Sequence, residues 1–410
     1  MNDQEKKVVK EIDEDEINRE VEDINEEIVD DTNTNKDFIK KILKFLVIFI
    51  IVMVVFMLIL IIPSLLIPRT YKYSDIEDML INATKKYYSD HSDLLPVDVG
   101  STSQVDYATL VDEDYFKTLD EYEIDGKICN NAYITVEKTY TGYMYIPFLD
   151  CGADYSTTSF SNMVTNSNQV VTNGDGLYYE LKSGNYIFRG ENVNNYVKMG
   201  DYLWRIVKIT SQGNLLLISA DKIGYSTSWD DRFNSDKNYS SGYNDYSKSR
   251  IKEKVVDFYN NGIKSARNKM KPIITSKYKT YLVPFTLCVG RKDSNSEIKN
   301  NSDECKVRLD NQMIGLITVS DYVTASIDPG CKTITSKECQ NYNYLAVGYE
   351  FWTLTGAASD SYSVYFSQRN GNIEAKSAAS YANIRPTILL NGKVLYKSGK
   401  GTEKNPYKIR

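Results

Sequence analysis

The sequence predicts an α+β protein: a single transmembrane helix, a small α+β module, and a larger domain of short antiparallel strands, a few helices and long loops. Residues 45 to 62 are eighteen consecutive apolar residues, and all six cysteines follow them. Beyond this run, apolar residues at helical spacing are interspersed with short alternating segments. The predicted organisation is an acidic tail at 1–37, an anchor at 38–69, a small module at 70–151, a linker at 152–176 and a large domain at 177–410.

The amino-terminal segment is strongly acidic. Residues 1 to 35 carry 14 Asp or Glu and 4 Lys or Arg, in a chain of net charge -6. Such a run predicts a disordered, solvated tail. The alternative is a helix that forms on a cytoplasmic partner, because four aliphatic residues have the 4-3-4 spacing of one helix face: Ile17, Val21, Ile24 and Ile28. Nucleic acid is excluded as a partner of the tail, since its phosphates repel carboxylates.

The apolar run, extended to Ile67, is long enough to cross the roughly 30 Å hydrocarbon core and to contact the bilayer through residues 45 to 67. A cleaved signal peptide would have a shorter apolar region. Four lysines precede the run, whereas Arg69 and Lys72 follow it. Because cationic flanks stay in the cytoplasm, we expect a single-pass cell-membrane protein with a cytoplasmic amino terminus and extracellular domains.

An outward location assigns a structural role to the cysteines, since disulfides persist outside the cell. Their spacing matches neither a zinc site nor a C-x-x-C redox pair. Six cysteines allow fifteen connectivities, and the short separations favour sequential bridges: Cys129 to Cys151, Cys288 to Cys305, and Cys331 to Cys339. No cofactor or metal is predicted.

The small module begins with a predicted helix at "YSDIEDMLINATKKYYSD", where Ser74 and Glu77 have the spacing of a capping box. His91 follows this helix. It is the single histidine of the chain, and no partner motif surrounds it. A shorter helix is predicted at "DYATLVDEDYF", followed by two strands at "AYITVEKT" and "YMYIPFLDC".

The larger domain begins with strands at "YIFRG", "DYLWRIVKIT" and "LLLISADKI". The segment "SRIKEKVVDFYNNGI" predicts a helix that Gly262 ends, and "IGLITVSDYVTAS" predicts a strand entering a short helix capped by Ser320. The segments "FWTLTG", "YSVYF" and "IRPTILL", with an Asn370-Gly371 turn, complete an antiparallel set.

Several of these segments together resemble a family of uncharacterised surface-domain proteins from low-GC Gram-positive bacteria. The similarity covers roughly residues 178 to 410 and is carried by "YIFRGENVNNYVKMGDYLWRIVKI", "IGLITVSDYVTAS", "FWTLTG", "IRPTILL" and "GKGTEKNPYKI". The resemblance implies a C-type-lectin-like fold, shared more distantly with formylglycine-generating enzymes, and a cell-surface setting without an established activity. The smaller module resembles pilin-like regions.

Two departures separate the chain from the active members of that fold. The E-P-N or Q-P-D and W-N-D motifs of calcium-dependent lectins do not occur, and no cysteine follows Cys339 to supply the late active-site pair of formylglycine-generating enzymes. We interpret four residues of the larger domain as structural framework, because large aromatic residues in strands are core more often than ligand platforms: Trp204, Trp352, Arg385 and Pro386.

The best candidate contact site is "SWDDRFNSDKNYSSGYNDYSKS", residues 228 to 249, in which rings alternate with Asp, Asn and Ser. Exposed rings can stack on sugars or on protein surfaces while the polar groups bind hydroxyls. The predicted ligand-binding residues are Trp229, Tyr239, Tyr243 and Tyr246. The neighbouring Asp230 and Asp231 raise the possibility of acid–base hydrolysis, but adjacent residues of an extended loop point in different directions.

Three function classes follow from these observations. The favoured one is a membrane-anchored, non-catalytic binding or adhesion protein that recognises cell-wall glycan or another surface protein. The alternatives are a structural or pilus-associated assembly component and an extracellular enzyme. Ionisable groups that converge in one deep pocket would favour the enzyme, whereas a shallow aromatic surface would favour binding.

Overall fold

A computed structural model of the chain describes residues 38–59, 71–122, 129–264, 270–298 and 301–410. The chain divides into two units, one ending at Thr70 and one spanning Tyr71–Arg410. The predicted acidic tail and the end of the predicted anchor, residues 60 to 69, lie outside the described residues.

The described part of the first unit is one helix, α1, Phe38–Ile59. Its 22 residues give a length of about 33 Å at 1.5 Å per residue, which matches the hydrocarbon core of a bilayer. Apolar side chains are exposed along the whole helix. A helix of this length and composition fits a membrane anchor, and a signal sequence has the same properties.

The second unit is a mixture of helices and strands, which confirms the α+β prediction. The described helices are α2 Tyr73–Asp90, α3 Tyr107–Asp112, α4 Phe160–Ser167, α5 Arg250–Asn261, α6 Ser276–Lys279 and α7 Val319–Thr324. The described strands are β1 Thr102–Asp106, β2 Asn131–Thr139, β3 Gly142–Asp150, β4 Gly176–Glu180, β5 Asn185–Arg189, β6 Tyr196–Met199, β7 Tyr202–Ile209, β8 Leu215–Ser219, β9 Thr227–Ser228, β10 Ile263–Lys264, β11 Met270–Lys271, β12 Phe285–Cys288, β13 Arg291–Lys292, β14 Arg308–Gln312, β15 Gly315–Leu316, β16 Phe351–Ala357, β17 Ser363–Ser367, β18 Ile373–Ser377, β19 Tyr381–Ala382, β20 Pro386–Leu390, β21 Tyr396–Ser398 and β22 Tyr407–Ile409.

Helix α2 covers the three-stranded antiparallel sheet β1-β2-β3. Apolar side chains at helical spacing, among them Ile76 and Leu80, are fully buried against the sheet. The predicted capping box of Ser74 and Glu77 is wrong. The residue that precedes helix α2 is Lys72, two positions before Ser74, and the Asp75 side chain accepts a hydrogen bond from the Lys72 backbone at 3.0 Å.

Glu77 is instead fully buried in a polar cluster. Its Oε1 accepts hydrogen bonds from the Tyr155 hydroxyl at 2.8 Å and from the Thr157 hydroxyl at 2.5 Å. Its Oε2 forms an ion pair with Arg410, which also contacts Asp78 at 2.6 Å. This cluster therefore joins α2 to residue 410.

The largest sheet of the second unit has the strand order β15-β20-β8-β7-β6-β22-β21, with β5 paired to both β4 and β7. Strands β8 and β20 are buried at every residue, as expected of strands that are covered on both faces. The framework residue Trp204 of β7 is fully buried, and so is Arg385, which precedes β20 and donates to the Ser219 carbonyl at 3.0 Å. Pro386 begins β20 and is also buried.

A second sheet, β13-β16-β17-β18, contains "FWTLTGA" as β16, and all seven of these residues are buried. The Trp352 ring lies in this core, and its Nε1 donates to the Thr227 carbonyl at 2.8 Å. Helix α5 follows the predicted pattern, because Ser249 caps its start and Gly262 ends it at φ 81°. A Cβ at Gly262 would meet the Lys271 carbonyl oxygen at 2.2 Å, so the position requires glycine.

Helix α7 differs from its predicted cap, because Thr318 and not Ser320 caps it, through a hydrogen bond from the Asp321 backbone. Residues 152 to 176 contain α4, whose Phe160 and Val164 are buried in the core of the larger region. The Phe160 backbone also donates to the Val394 carbonyl at 2.7 Å. The boundaries proposed at residues 151 and 176 stay a prediction.

All six cysteines form disulfides in the predicted pairing, with Cα separations of 3.9 Å for Cys129–Cys151, 4.3 Å for Cys288–Cys305 and 4.6 Å for Cys331–Cys339. Each bridge closes a loop of at most 22 residues. Loops of this size stabilise a fold by about 2 to 4 kcal/mol each, chiefly by restricting the unfolded chain. The sequential pairing predicted for the cysteines is confirmed.

Candidate functional site: the loop from residue 228 to 249

The loop is anchored at its start by pairing with a distant strand. Strand β9 pairs with β19, so that Ser228 lies opposite Tyr381. The backbone groups of Trp229 and Asp230 then both donate to the Ala378 carbonyl, at 2.8 and 2.9 Å. These bonds place the loop beside the segment from β18 to β19.

Two of the four predicted ligand-binding rings are not exposed. Trp229 has no exposed surface and donates from Nε1 to the Thr353 carbonyl at 3.1 Å. Tyr246 is 1% exposed, and burial raises the pKa of its hydroxyl. The two ring centroids lie 5.8 Å apart. The prediction that Trp229 and Tyr246 stack on a ligand is therefore wrong, because both rings pack inside the protein.

Buried amides explain how a polar loop can fold inward. The Asn244 Nδ2 donates to the carbonyls of Ala357 and Asp360 at 3.0 and 2.9 Å, and the Asn234 Nδ2 donates to the Gly242 carbonyl at 2.6 Å. These bonds compensate for the loss of water around the loop backbone. Much of its asparagine content therefore serves structure rather than ligand contact.

The two adjacent aspartates occupy different environments. Asp230 is fully buried and accepts a hydrogen bond from Arg232 Nε at 3.0 Å. This hydrogen bond raises the pKa of the Arg232 guanidinium. Asp231 is exposed and forms an ion pair with Arg250. Each carboxylate thus has its own arginine, and the two do not form the facing pair that glycoside hydrolysis requires.

The exposed rings of this region lie on neighbouring segments. Tyr239 is 55% exposed and Phe233 56% exposed, and the bridge between Asn234 and Tyr239 brings their two segments together. Tyr381, at 66% exposure, is on β19, which pairs with the start of the loop. We call Phe233, Tyr239 and Tyr381 the aromatic rim.

The fourth predicted residue, Tyr243, is half-buried, and the Arg232 guanidinium lies 5.7 Å from its ring centroid. Sequence reasoning missed Phe233, which was within the quoted loop, and Tyr381, which strand pairing brings opposite Ser228. The run of polar residues that follows Phe233 was a sequence signal for the exposure of its ring. The sequence contained no local signal for Tyr381.

His91 has a structural environment at the end of α2. Its Nδ1 lies 3.0 Å from the Tyr87 carbonyl oxygen, its ring stacks on Tyr87 with centroids 4.4 Å apart, and its Nε2 lies 3.5 Å from Glu113. Within the described ranges, no group of three or more His, Cys, Asp or Glu residues is placed to hold a metal ion.

Comparison with known proteins gives no relative: no protein-family model, no curated protein and no solved structure matches the chain.

Proposed function

We propose that the chain is a membrane-anchored cell-surface protein that binds a glycan or protein ligand without catalysing a reaction. Two observations support the setting. The exposed apolar helix α1 has the length of a bilayer span, and the unit after it contains three disulfides. The four lysines that precede the apolar run at residue 45 favour an inward amino terminus.

The same proposal assigns a C-type-lectin-like fold to residues 177 to 410. Its support is the resemblance of the sequence segments together with the arrangement of short antiparallel strands, few helices and long anchored loops. In that arrangement, hydrogen bonds from buried residues such as Asn234 and Asn244 hold the loop from residue 228 to 249 in place, and residues 235 to 239 are exposed. A loop held in this way favours binding, because less conformational entropy is lost when the ligand is bound.

The aromatic rim is the observation that carries the binding proposal. Between Phe233 and Tyr239 the chain exposes Ser235, Asp236, Lys237 and Asn238. Rings with adjacent hydroxyl, carboxylate and amide groups combine stacking with hydrogen bonding, which suits the faces and hydroxyls of sugars and also adapts to protein surfaces. Tyr243 is half-buried and lies near the Arg232 guanidinium, so the proposal does not use it as an anchor.

A binding experiment with the 410-residue chain in lipid nanodiscs tests this proposal. The probes are a glycan array, purified cell-wall polysaccharide and peptidoglycan. Phe233→Ala and Tyr239→Ala should each weaken binding about 5- to 30-fold, as expected of aromatic anchors, with and without EDTA. Tyr140→Ala is the matched control, because Tyr140 is 59% exposed on the turn between β2 and β3. Full affinity in both rim variants would refute the proposed site.

Membrane orientation is tested separately on intact cells. Added protease should digest the region after Arg69 and leave a tag on the acidic tail intact. Protection of the disulfide-bonded unit, with digestion of the tail, would show the opposite orientation.

A further inference from the structure

An open cleft of about 420 Å³ lies between helix α5, the residues from 311 to 314 and the turn that joins β2 to β3. None of its lining residues belongs to the loop from residue 228 to 249 or to the aromatic rim. Val256, Met313 and Ile314 provide apolar side chains, and the first two are only partly buried. The volume is in the range of small-molecule sites, and part of the surface is apolar.

A single cation lines this cleft. Among the described residues that form its walls, Lys279 alone carries a formal charge. Its Nζ lies 4.5 Å from the centroid of the Tyr259 ring and 3.4 Å from the Asn260 carbonyl oxygen. Burial lowers the pKa of Lys279, and no neighbouring carboxylate raises it again. The ammonium is therefore partly desolvated and has no counter-ion within the described ranges.

The neutral polar groups of the cleft are free to bind a ligand. Thr141, Asn260 and Asn311 are exposed, and their side chains form no hydrogen bond with another described residue. Hydroxyl and amide groups can donate hydrogen bonds, whereas an ionised carboxylate only accepts them. One cation, neutral donors and an apolar surface together match an organic anion, and no described carboxylate in the lining would repel it.

The competing interpretation is that Lys279 is an ordinary solvated lysine. Other lysines of this unit differ from it, because a carboxylate neutralises them: Lys271 pairs with Asp201 at 3.0 Å, and Lys306 pairs with Asp303 at 2.7 Å. A partly desolvated pair is also screened less by salt than a pair on an open surface. Since one lysine neutralises one charge, a carboxylate fits the cleft better than a phosphate group, which carries more than one.

We propose that this cleft binds a small organic monoanion in which a carboxylate is attached to an apolar body. The carboxylate pairs with Nζ of Lys279 and accepts hydrogen bonds from the amides of Asn260 and Asn311. The apolar body lies on Val256 and Met313. Tyr140 also borders the cleft, and no ligand contact is assigned to it.

The test uses 4-fluorobenzoate as the probe and the 410-residue chain in nanodiscs of zwitterionic lipid, with empty nanodiscs as the blank. Fluorine NMR should show a saturable shift, and unlabelled benzoate should compete. Lys279→Met keeps most of the side-chain length and removes the charge, so it should weaken binding about 10-fold or more. Lys222→Met is the matched control, because Lys222 Nζ also lies near a tyrosine ring, 5.3 Å from the Tyr349 centroid, but outside the cleft. It should leave the shift unchanged.

Two further measurements keep the proposal refutable if Lys279→Met does not fold. Asn311→Asp keeps the side-chain shape, and aspartate tolerates the left-handed backbone of this residue, φ 57°. The added carboxylate should repel the probe and weaken its binding roughly 3- to 10-fold. 4-Fluorobenzamide retains the ring without the charge and should bind about 10-fold more weakly than 4-fluorobenzoate.

Three outcomes would overturn the proposal: no saturable shift, an unchanged shift in Lys279→Met, or equal binding of 4-fluorobenzamide. Each would leave Lys279 as a solvated cation. Neutral glycans lack the anion that this cleft requires, so failure here is distinguishable from failure of glycan binding by the aromatic rim.

Discussion

The burial of Trp229 gives the sharpest stability prediction. Replacing this residue by alanine removes an indole with no exposed surface and deprives the Thr353 carbonyl of its donor. Large-to-small changes at such aromatic sites cost about 3 to 5 kcal/mol. Loss of the hydrogen bond accounts for roughly 1 kcal/mol on its own. We therefore expect Trp229→Ala to lower the free energy of unfolding by about 4 kcal/mol or more.

The assay is urea unfolding of the chain in nanodiscs, followed by far-ultraviolet circular dichroism. Trp229→Phe retains much of the ring volume but not the donor, so it should lower stability by roughly 1 to 3 kcal/mol. Tyr239→Ala, on the exposed rim, should change stability by less than about 0.5 kcal/mol. A Trp229→Ala variant that is as stable as the parent chain and has lost ligand binding would refute this reasoning and restore the indole as a surface anchor.

Four other predictions follow from the same structure. Trp352→Ala should lower the free energy of unfolding by about 3 to 5 kcal/mol in the urea assay, because its ring is fully buried; a change below 1 kcal/mol would contradict its framework role. Asp230→Asn should lower it by roughly 1.5 to 3 kcal/mol, toward the lower end because the Arg232 side chain is 38% exposed, while Asp231→Asn should have little effect. Mass mapping of the unreduced protein should recover the three sequential bridges and no mixed pairing. Burial raises the pKa values of Tyr322 and Tyr365 to about 12, above the unfolded value near 10. The free energy of unfolding should therefore fall as the pH rises from 10 to 12, as followed by tyrosinate absorbance. Titration of these tyrosines near pH 10 in the folded state would argue against their burial.

Local signals predicted the regular elements well. Helix α5 was predicted from its apolar spacing and from Gly262 as its end, and the hairpin of β2 and β3 was predicted from alternation around a glycine. Sequential disulfides also followed from short separations. In each case the deciding interactions lie within about 20 residues of each other, so the sequence pattern contains them.

The missed features depend on distant partners. Glu77 has the spacing of a capping residue, yet its partners are at positions 155, 157 and 410. Trp229 has polar neighbours in sequence, but its donor reaches Thr353, 124 positions away. The polar composition of residues 228 to 249 indicated an exposed loop. Composition alone could not show that carbonyls elsewhere in the chain would accept hydrogen bonds from the buried asparagines. Membership of the aromatic rim likewise depended on the pairing of β9 with β19.

The ion pair between Glu77 and Arg410 has a consequence for biosynthesis. The two residues are 333 positions apart, and a ribosome adds about 5 to 20 residues per second. Glu77 therefore emerges roughly 17 to 67 s before the guanidinium that neutralises it. During that interval α2 cannot complete its polar cluster, and its carboxylate has to remain hydrated or be held by a chaperone. A chain that stalls before residue 410 would keep this defect, because no guanidinium would be present to neutralise Glu77.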